Sequence, residues 1–259
     1  MKKMLALALS LAMVFSLAAC APAQNSSSGS GEPSSSSESS SQSTEKIDVK
    51  IAALKGPTSI GMVKMMKDAK EGAAANNYSF TLAGAPDELV GKIVQGEFDI
   101  AAVPTNLTSV LYNKTQGKVQ LAALNTLGVL YLVEDGDSIQ SVADLKGKTI
   151  YSTGAGSTPE FALNYVLEKN GLTVGTDVQV EYKTEHTELA GLLASGQAQI
   201  ALLPQPFVTS ALAQNDKLRV ALDLTEEWNK VTEDGSVLTM GGVIVQKQFA
   251  EEHPEALAQ

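Results

Sequence analysis

Few residues in this chain can do covalent or metal chemistry. Its 259 residues include one cysteine, Cys20, and two histidines, His186 and His253. That leaves almost nothing for a zinc or iron–sulfur site, and no metal is expected. His253 lies in the charged segment EEHPE and reads as surface. His186 stands beside Glu185 in a loop, where contact with a ligand competes with the simpler reading of a solvated helix start, and the simpler reading is favoured. The segment GAGSTPEF (154–161) lacks a full dinucleotide fingerprint, and no P-loop lysine follows it. It also lacks the pattern that would expose Ser157 as a nucleophile. No catalytic residue, no cofactor and no enzymatic activity are expected.

The same segment is better suited to binding. Gly154 and Gly156 let backbone approach a ligand, Ser157 or Thr158 can cap a helix, and Pro159 suits its first turn. Free N–H groups there would face an acceptor or an anion. Thr58 and Ser59 make a matching case after Lys55 and Gly56, with Lys55 as the only cation on such a loop. Thr105, Asn106, Thr126 and Gln205 fall on further loops of the same kind. The single arginine, Arg219, opens a strand and should point away from them, so no guanidinium fork is expected at the site. Met62, Met65 and Met66 have the spacing of a packed helix face. Trp228 and Tyr151 could stack on a planar ligand, with packing at a lobe connection the competing reading for Trp228.

Regularly alternating elements must position these loops. Strand patterns fall at 47–54, 78–84, 99–104, 119–124, 129–134, 148–153, 178–183, 200–204 and 219–224. Helical patterns fall at 59–75, 87–95, 106–115, 159–169, 187–195 and 207–214. Such alternation implies α/β architecture, with parallel sheets covered by helices on both faces. An internal repeat then divides it. ELVGKIVQGEFDIAAVPTN (88–106) aligns without gaps with ELAGLLASGQAQIALLPQP (188–206), seven of nineteen positions being identical. Each copy is an amphipathic helix, a glycine that ends it, an apolar strand and a proline that stops the strand. Two doubly wound lobes follow, with a ligand crevice at the carboxyl ends of their strands.

Composition excludes other classes. Hydrophobic residues are 44% and charged residues 19%, enough for a core and unlike a disordered or membrane-spanning chain. The formal charge is −10, and removal of Lys2 and Lys3 with an export signal takes it to −12. A surface that acidic is repelled by phosphate backbones, so nucleic acid is not an expected partner.

The ends of the chain carry addresses. Residues 1–19 combine Lys2 and Lys3 with a short apolar run, as signal peptides do. Leu17-Ala18-Ala19-Cys20 matches a bacterial lipobox, which makes Cys20 the expected lipidation site and the new N-terminus. Residues 20–45 include a Ser/Gly-rich tether. The expected location is extracytoplasmic, at the cell membrane through a lipid anchor. Ala256-Leu257-Ala258-Gln259 stops inside an apparent helix, the pattern of a truncated product or fragment.

Taken in order, KGPTSIGM, the first repeat copy, ADLKGKTIYSTGAGSTPEF (143–161) and the second copy resemble the substrate-binding proteins of bacterial ABC importers. The similarity is to the nitrate/sulfonate/taurine and thiamine-precursor group, of periplasmic-binding-protein-like type II fold, and runs from about Lys46 to the end. It implies two α/β lobes joined by two crossing strands, near Glu134–Ser141 and Leu224–Gly235. Lobe I would then comprise 46–136 and 236–259, and lobe II 137–235. It also implies a monomeric solute-binding lipoprotein that presents a small molecule to ABC permease subunits. A pyrimidine-precursor synthase of the same fold and a ligand-sensing surface lipoprotein are the alternatives.

Overall fold

The computed structural model describes Glu45–Gln259. The expected signal peptide, Cys20 and the tether as far as Thr44 lie outside the described residues.

Two five-stranded sheets form. The first contains β1 (Asp48–Leu54), β2 (Asn77–Ala83), β3 (Ile100–Pro104), β4 (Val119–Leu127) and β10 (Thr239–Gln246), in the order β2-β1-β3-β10-β4. The second contains β5 (Leu130–Asp135), β6 (Thr149–Thr153), β7 (Gln179–Lys183), β8 (Ile200–Pro204) and β9 (Leu218–Asp223), in the order β7-β6-β8-β5-β9. The two orders superimpose when β1, β2, β3, β10 and β4 are matched to β6, β7, β8, β5 and β9. In each sheet the fourth strand comes from the other side of a crossing and runs antiparallel to both neighbours.

Helices cover both faces of each sheet. In the first lobe α1 (Pro57–Ile60) and α2 (Val63–Lys70) follow β1, α3 (Asp87–Gln95) precedes β3, and α4 (Thr105–Lys114) follows it. One face buries Leu89, Ile93, Leu107 and Leu111 against Ala52 and Ile244. The other packs Val49, Ile51, Val245 and Phe249, with Met62 and Met65 against them. In the second lobe α5 (Thr158–Lys169) and α8 (Leu224–Val231) lie on one face, and α6 (His186–Ala194) with α7 (Phe207–Leu212) on the other. Fully buried side chains such as Leu163 and Leu193 contribute about 1.5–3 kcal/mol each. The short α9 (Lys247–Glu252) and α10 (Pro254–Ala258) close the described chain.

The sequence repeat corresponds to α3–β3 and α6–β8. The glycines that end these two helices, Gly96 and Gly196, have φ of 76° and 74°, in the left-handed region.

Four expectations are corrected. The sheets are mixed rather than parallel, because the crossing strands enter antiparallel. The first crossing is the short turn at Gly128 and Val129, so 130–136, expected in lobe I, contribute β5 to the second sheet instead. The second crossing region begins as a helix, because the Asp223 carboxylate accepts the N–H groups of Thr225 and Glu226 at 2.8 and 3.4 Å and caps α8. The single helix expected at 59–75 is broken at Gly61 and Met62 into α1 and α2.

Candidate ligand cleft

The carboxyl ends of β1, β2, β3 and β4 face those of β6, β7 and β8 across a cavity of about 440 Å³. Lobe I supplies Lys55, Pro57 and Thr58, the stretch Gly84–Asp87, Pro104 and Thr126; Met240 enters from β10. Lobe II supplies Thr153, Gly154, Ala155, Ser157, Tyr182, Lys183 and His186, among others. Prolines at 57, 86, 104, 159 and 204 stand on this wall, each beside the end of a strand or the start of a helix.

Five residues expected at the site line the cavity: Lys55, Thr58, Thr126, Gly154 and Ser157. The others stand around it. Gly56, at φ 135°, is one place where the lobes meet closely, since a Cβ there would lie 3.5 Å from His186 Cδ2 and 3.6 Å from Phe207 Cε2; Gly84 is tighter still, a Cβ there falling against Glu185 Oε1. Ser59 is buried and donates its hydroxyl to the Gly56 carbonyl at 3.1 Å. Gln205 turns toward α7, where its Oε1 accepts the N–H and hydroxyl of Thr209.

Asn106, Gly156 and Thr158 join the lobes. Asn106 N–H donates to Thr158 Oγ1 at 3.2 Å, and the Thr158 hydroxyl donates to Asn106 Oδ1 at 3.1 Å. Asn106 Nδ2 donates to the Gly156 carbonyl at 3.0 Å. Thr105, Asn106 and Thr158 thus face a second hollow of about 370 Å³, walled by Phe161, Tyr165 and Trp228. Trp228 packs on Tyr165, ring centroids 4.8 Å apart, and donates Nε1–H to Ser236. On another rim Lys55 Nζ lies 3.4 Å from Glu185 Oε1, a second contact between lobes.

The hydroxyls behave differently from simple caps. Ser157 occupies the N-cap position of α5, yet its hydroxyl donates backward to the Gly154 carbonyl at 2.5 Å. Thr58 donates to the Leu54 carbonyl at 3.4 Å, and Thr126 to Asn125 Oδ1 at 3.1 Å.

Sequence reasoning missed part of the wall. Tyr182 and Lys183 are the last residues of β7, one step before the loop that was expected to contribute. Lys183 is therefore a second lysine at the cavity; its amine sits 5.3 Å from the Tyr151 ring centroid. Asp87 and Met240 also line it. His186 belongs to the wall rather than to solvent. Its Nδ1 is 2.6 Å from Thr153 Oγ1 and its ring lies 5.0 Å from that of Phe207. Burial pushes this imidazole down to about 4, against the opposing pull of Glu185, so it is neutral at physiological pH. Burial and the Glu160 charge push the Tyr182 phenol up to about 12. Arg219 lies at the far end of its strand, as its position implies, paired with the buried Glu134 at 2.8 Å.

Known proteins place this geometry. No curated protein matches the sequence. The fold is shared with the alkanesulfonate-binding protein SsuA of Xanthomonas axonopodis pv. citri, bound to MOPS, at 20% identity and TM-score 0.60, covering 83% of this chain and 71% of that one. It is shared with the aliphatic sulphonate binding protein SsuA of Escherichia coli at 17% identity and TM-score 0.61, covering 83% and 70%. The periplasmic nitrate-binding protein NrtA of Synechocystis PCC 6803 matches at 12% identity and TM-score 0.58, covering 82% and 58%. A family model described as ABC transporter, phosphonate, periplasmic substrate-binding protein matches residues 73–257. Two lobes of equivalent topology, a cavity between them and a match over most of the chain agree: the protein belongs to this family of periplasmic substrate-binding components of ABC importers.

Proposed function

We propose that this chain is a lipid-anchored receptor that takes a small molecule into the cavity between its lobes and hands it to the permease of an ABC importer. The observation that carries the reading is the cavity itself, to which both lobes contribute and around which they are hydrogen-bonded to each other. A ligand that touches both lobes favours the arrangement in which they meet, which is the signal a permease can read. Lys55, Thr58, Thr126, Gly154 and Ser157 act as ligand-facing residues, joined by Thr153, Tyr182, Lys183 and His186. Asn106, Thr158, Gly56 and Gly156 serve the closure of the lobes, while Ser59, Thr105 and Gln205 support the neighbouring loops. Cys20 carries the lipid that keeps the receptor, acting as a monomer, at the membrane.

The test couples binding to transport. A thermal-shift screen of small solutes identifies a ligand, and uptake of that ligand is then measured in cells with and without the chain. Uptake should depend on the chain, and Cys20→Ala should leave a precursor that takes up no labelled fatty acid. Ligand binding without any effect on uptake would favour a surface sensor instead.

A further inference from the structure

Several groups in and beside this cleft that would suit an anion are occupied by the protein's own carboxylates. Gly84 and Ala85, in the loop after β2, donate both N–H groups to Glu88 Oε1 at 2.9 and 2.8 Å. Gly156, in the loop before α5, donates to Glu160 Oε2 at 2.6 Å. Lys55 pairs with Glu185. Glu88, Glu160 and Glu185 are not lining residues themselves, but Gly84, Ala85 and Lys55 are, and Gly156 sits between the lining residues Ala155 and Ser157. Glu88 and Glu185 spend their charge on groups that an incoming oxyanion would use, and Glu160 adds a negative charge beside the wall. Asp87 adds a carboxylate to the wall itself and is in no ion pair among the described residues. Lys55 and Lys183 are the cations against these four, and Lys183 lies over the Tyr151 ring. The Tyr182 phenol, held protonated partly by Glu160, is subject to the same negative field.

Hydroxyl orientation adds a second, independent constraint. Thr58, Thr126 and Ser157 direct their hydrogens to Leu54, Asn125 and Gly154, so the capacity they have left is lone pairs. A ligand meeting those atoms must bring donors. Leu54, Pro57, Val129, Leu130 and Met240 supply an apolar wall for the rest of it.

We infer that the cleft takes a cationic or N–H-rich neutral molecule with an apolar body, an amine, amidine or amino-heterocycle, in preference to a phosphonate, sulfonate or nitrate. This rests on the receptor reading and narrows it. An oxyanion would have to displace a carboxylate from its N–H donors or lie beside it, whereas a nitrogenous ligand meets acceptors already in place.

Calorimetric titration of the purified full chain decides the matter, with benzylamine, benzamidine and 2-aminopyrimidine set against methylphosphonate, ethanesulfonate and nitrate. At least one nitrogenous probe should bind roughly tenfold or more tightly than every anion, a gap of about 1.4 kcal/mol. Glu160→Gln keeps an acceptor for Gly156 N–H but removes the charge, so it should weaken cationic probes and strengthen methylphosphonate by roughly tenfold. Asp87→Asn, on the wall, should weaken the cationic probes without depending on the α5 start, and urea midpoints check that both variants are folded. Tighter binding of any anion than of all nitrogenous probes by the unaltered chain overturns the inference, as does binding of neither set. The receptor reading fails on a different result, uptake that does not depend on the chain.

Discussion

At the scale of single residues, His186 makes the most direct prediction, because its environment works against its charge. Between two lobes, held by Thr153 and stacked near Phe207, the imidazole titrates at about 4 in the folded chain rather than 6.5. The unfolded chain therefore binds this proton first as pH falls. The stabilisation is complete above about 6.5 and is lost on acidification through about 4, amounting to on the order of 3 kcal/mol. NMR of the ring protons should show a midpoint near 4; one near 6.5 would mean the ring is solvated. His186→Asn should flatten the dependence of the urea midpoint on pH between about 6.5 and 4, relative to the unaltered chain. Sequence placed His186 on the right loop but favoured solvent, since a histidine beside Glu185 at a helix start gives no sign that a second lobe covers it. Hydroxyl pairing was equally hidden: Thr58, Thr126 and Ser157 lie on the wall as their loops implied, but only the folded structure brings each hydroxyl within hydrogen-bond reach of an acceptor oxygen of its own lobe.

At the scale of elements, the repeated helix–glycine–strand unit allows a paired comparison of opposite sign. Gly91 and Gly191 lie inside α3 and α6, where an added Cβ meets nothing within 4 Å. Alanine at either position should stabilise by about 0.5–1 kcal/mol, because it limits the unfolded chain and favours helix. Gly96 and Gly196 end the same helices at positive φ, with similar room for a Cβ. Alanine there should destabilise by about 1–2 kcal/mol through backbone conformation alone. Denaturant melts of the four variants check the signs, and a stabilised Gly96→Ala or Gly196→Ala would contradict the cap assignment. The nine expected strands all form, because each carries an apolar run bounded by glycine, proline or a polar turn. Less legible was α8, whose start depends on a single carboxylate, Asp223, reaching two backbone N–H groups. The break at Gly61 and Met62 was missed because Met62, Met65 and Met66 keep helical spacing from the break onward, although the break itself falls at a glycine, a residue unfavourable inside a helix.

At the scale of the whole molecule, duplication was readable from seven identities, yet the route between lobes was not. The return of 236–259 to the first lobe was expected from the family resemblance, but β5 is a buried apolar strand much like its parallel neighbours, so sequence pattern does not reveal which sheet it joins. What holds the lobes together depends on side chains from distant segments: Asn106 with Thr158 and Gly156 on one rim, Lys55 with Glu185 on another. The Lys55–Glu185 pair is solvent-exposed and contributes little, whereas two of the three bonds of Asn106, those with Thr158, are part-buried, the one to Gly156 being exposed, and each is worth about 0.5–1.5 kcal/mol. Asn106→Ala should therefore move the equilibrium between joined and separated lobes by about 1–3 kcal/mol, with Lys55→Met adding less. Neither Asn106 nor Thr158 lines the main cavity, so a loss of ligand affinity on changing Asn106 would come through closure rather than contact. X-ray scattering should show a larger radius of gyration for Asn106→Ala, restored toward the original value by saturating ligand. An unchanged radius together with unchanged affinity would show that these bonds form without controlling the cleft.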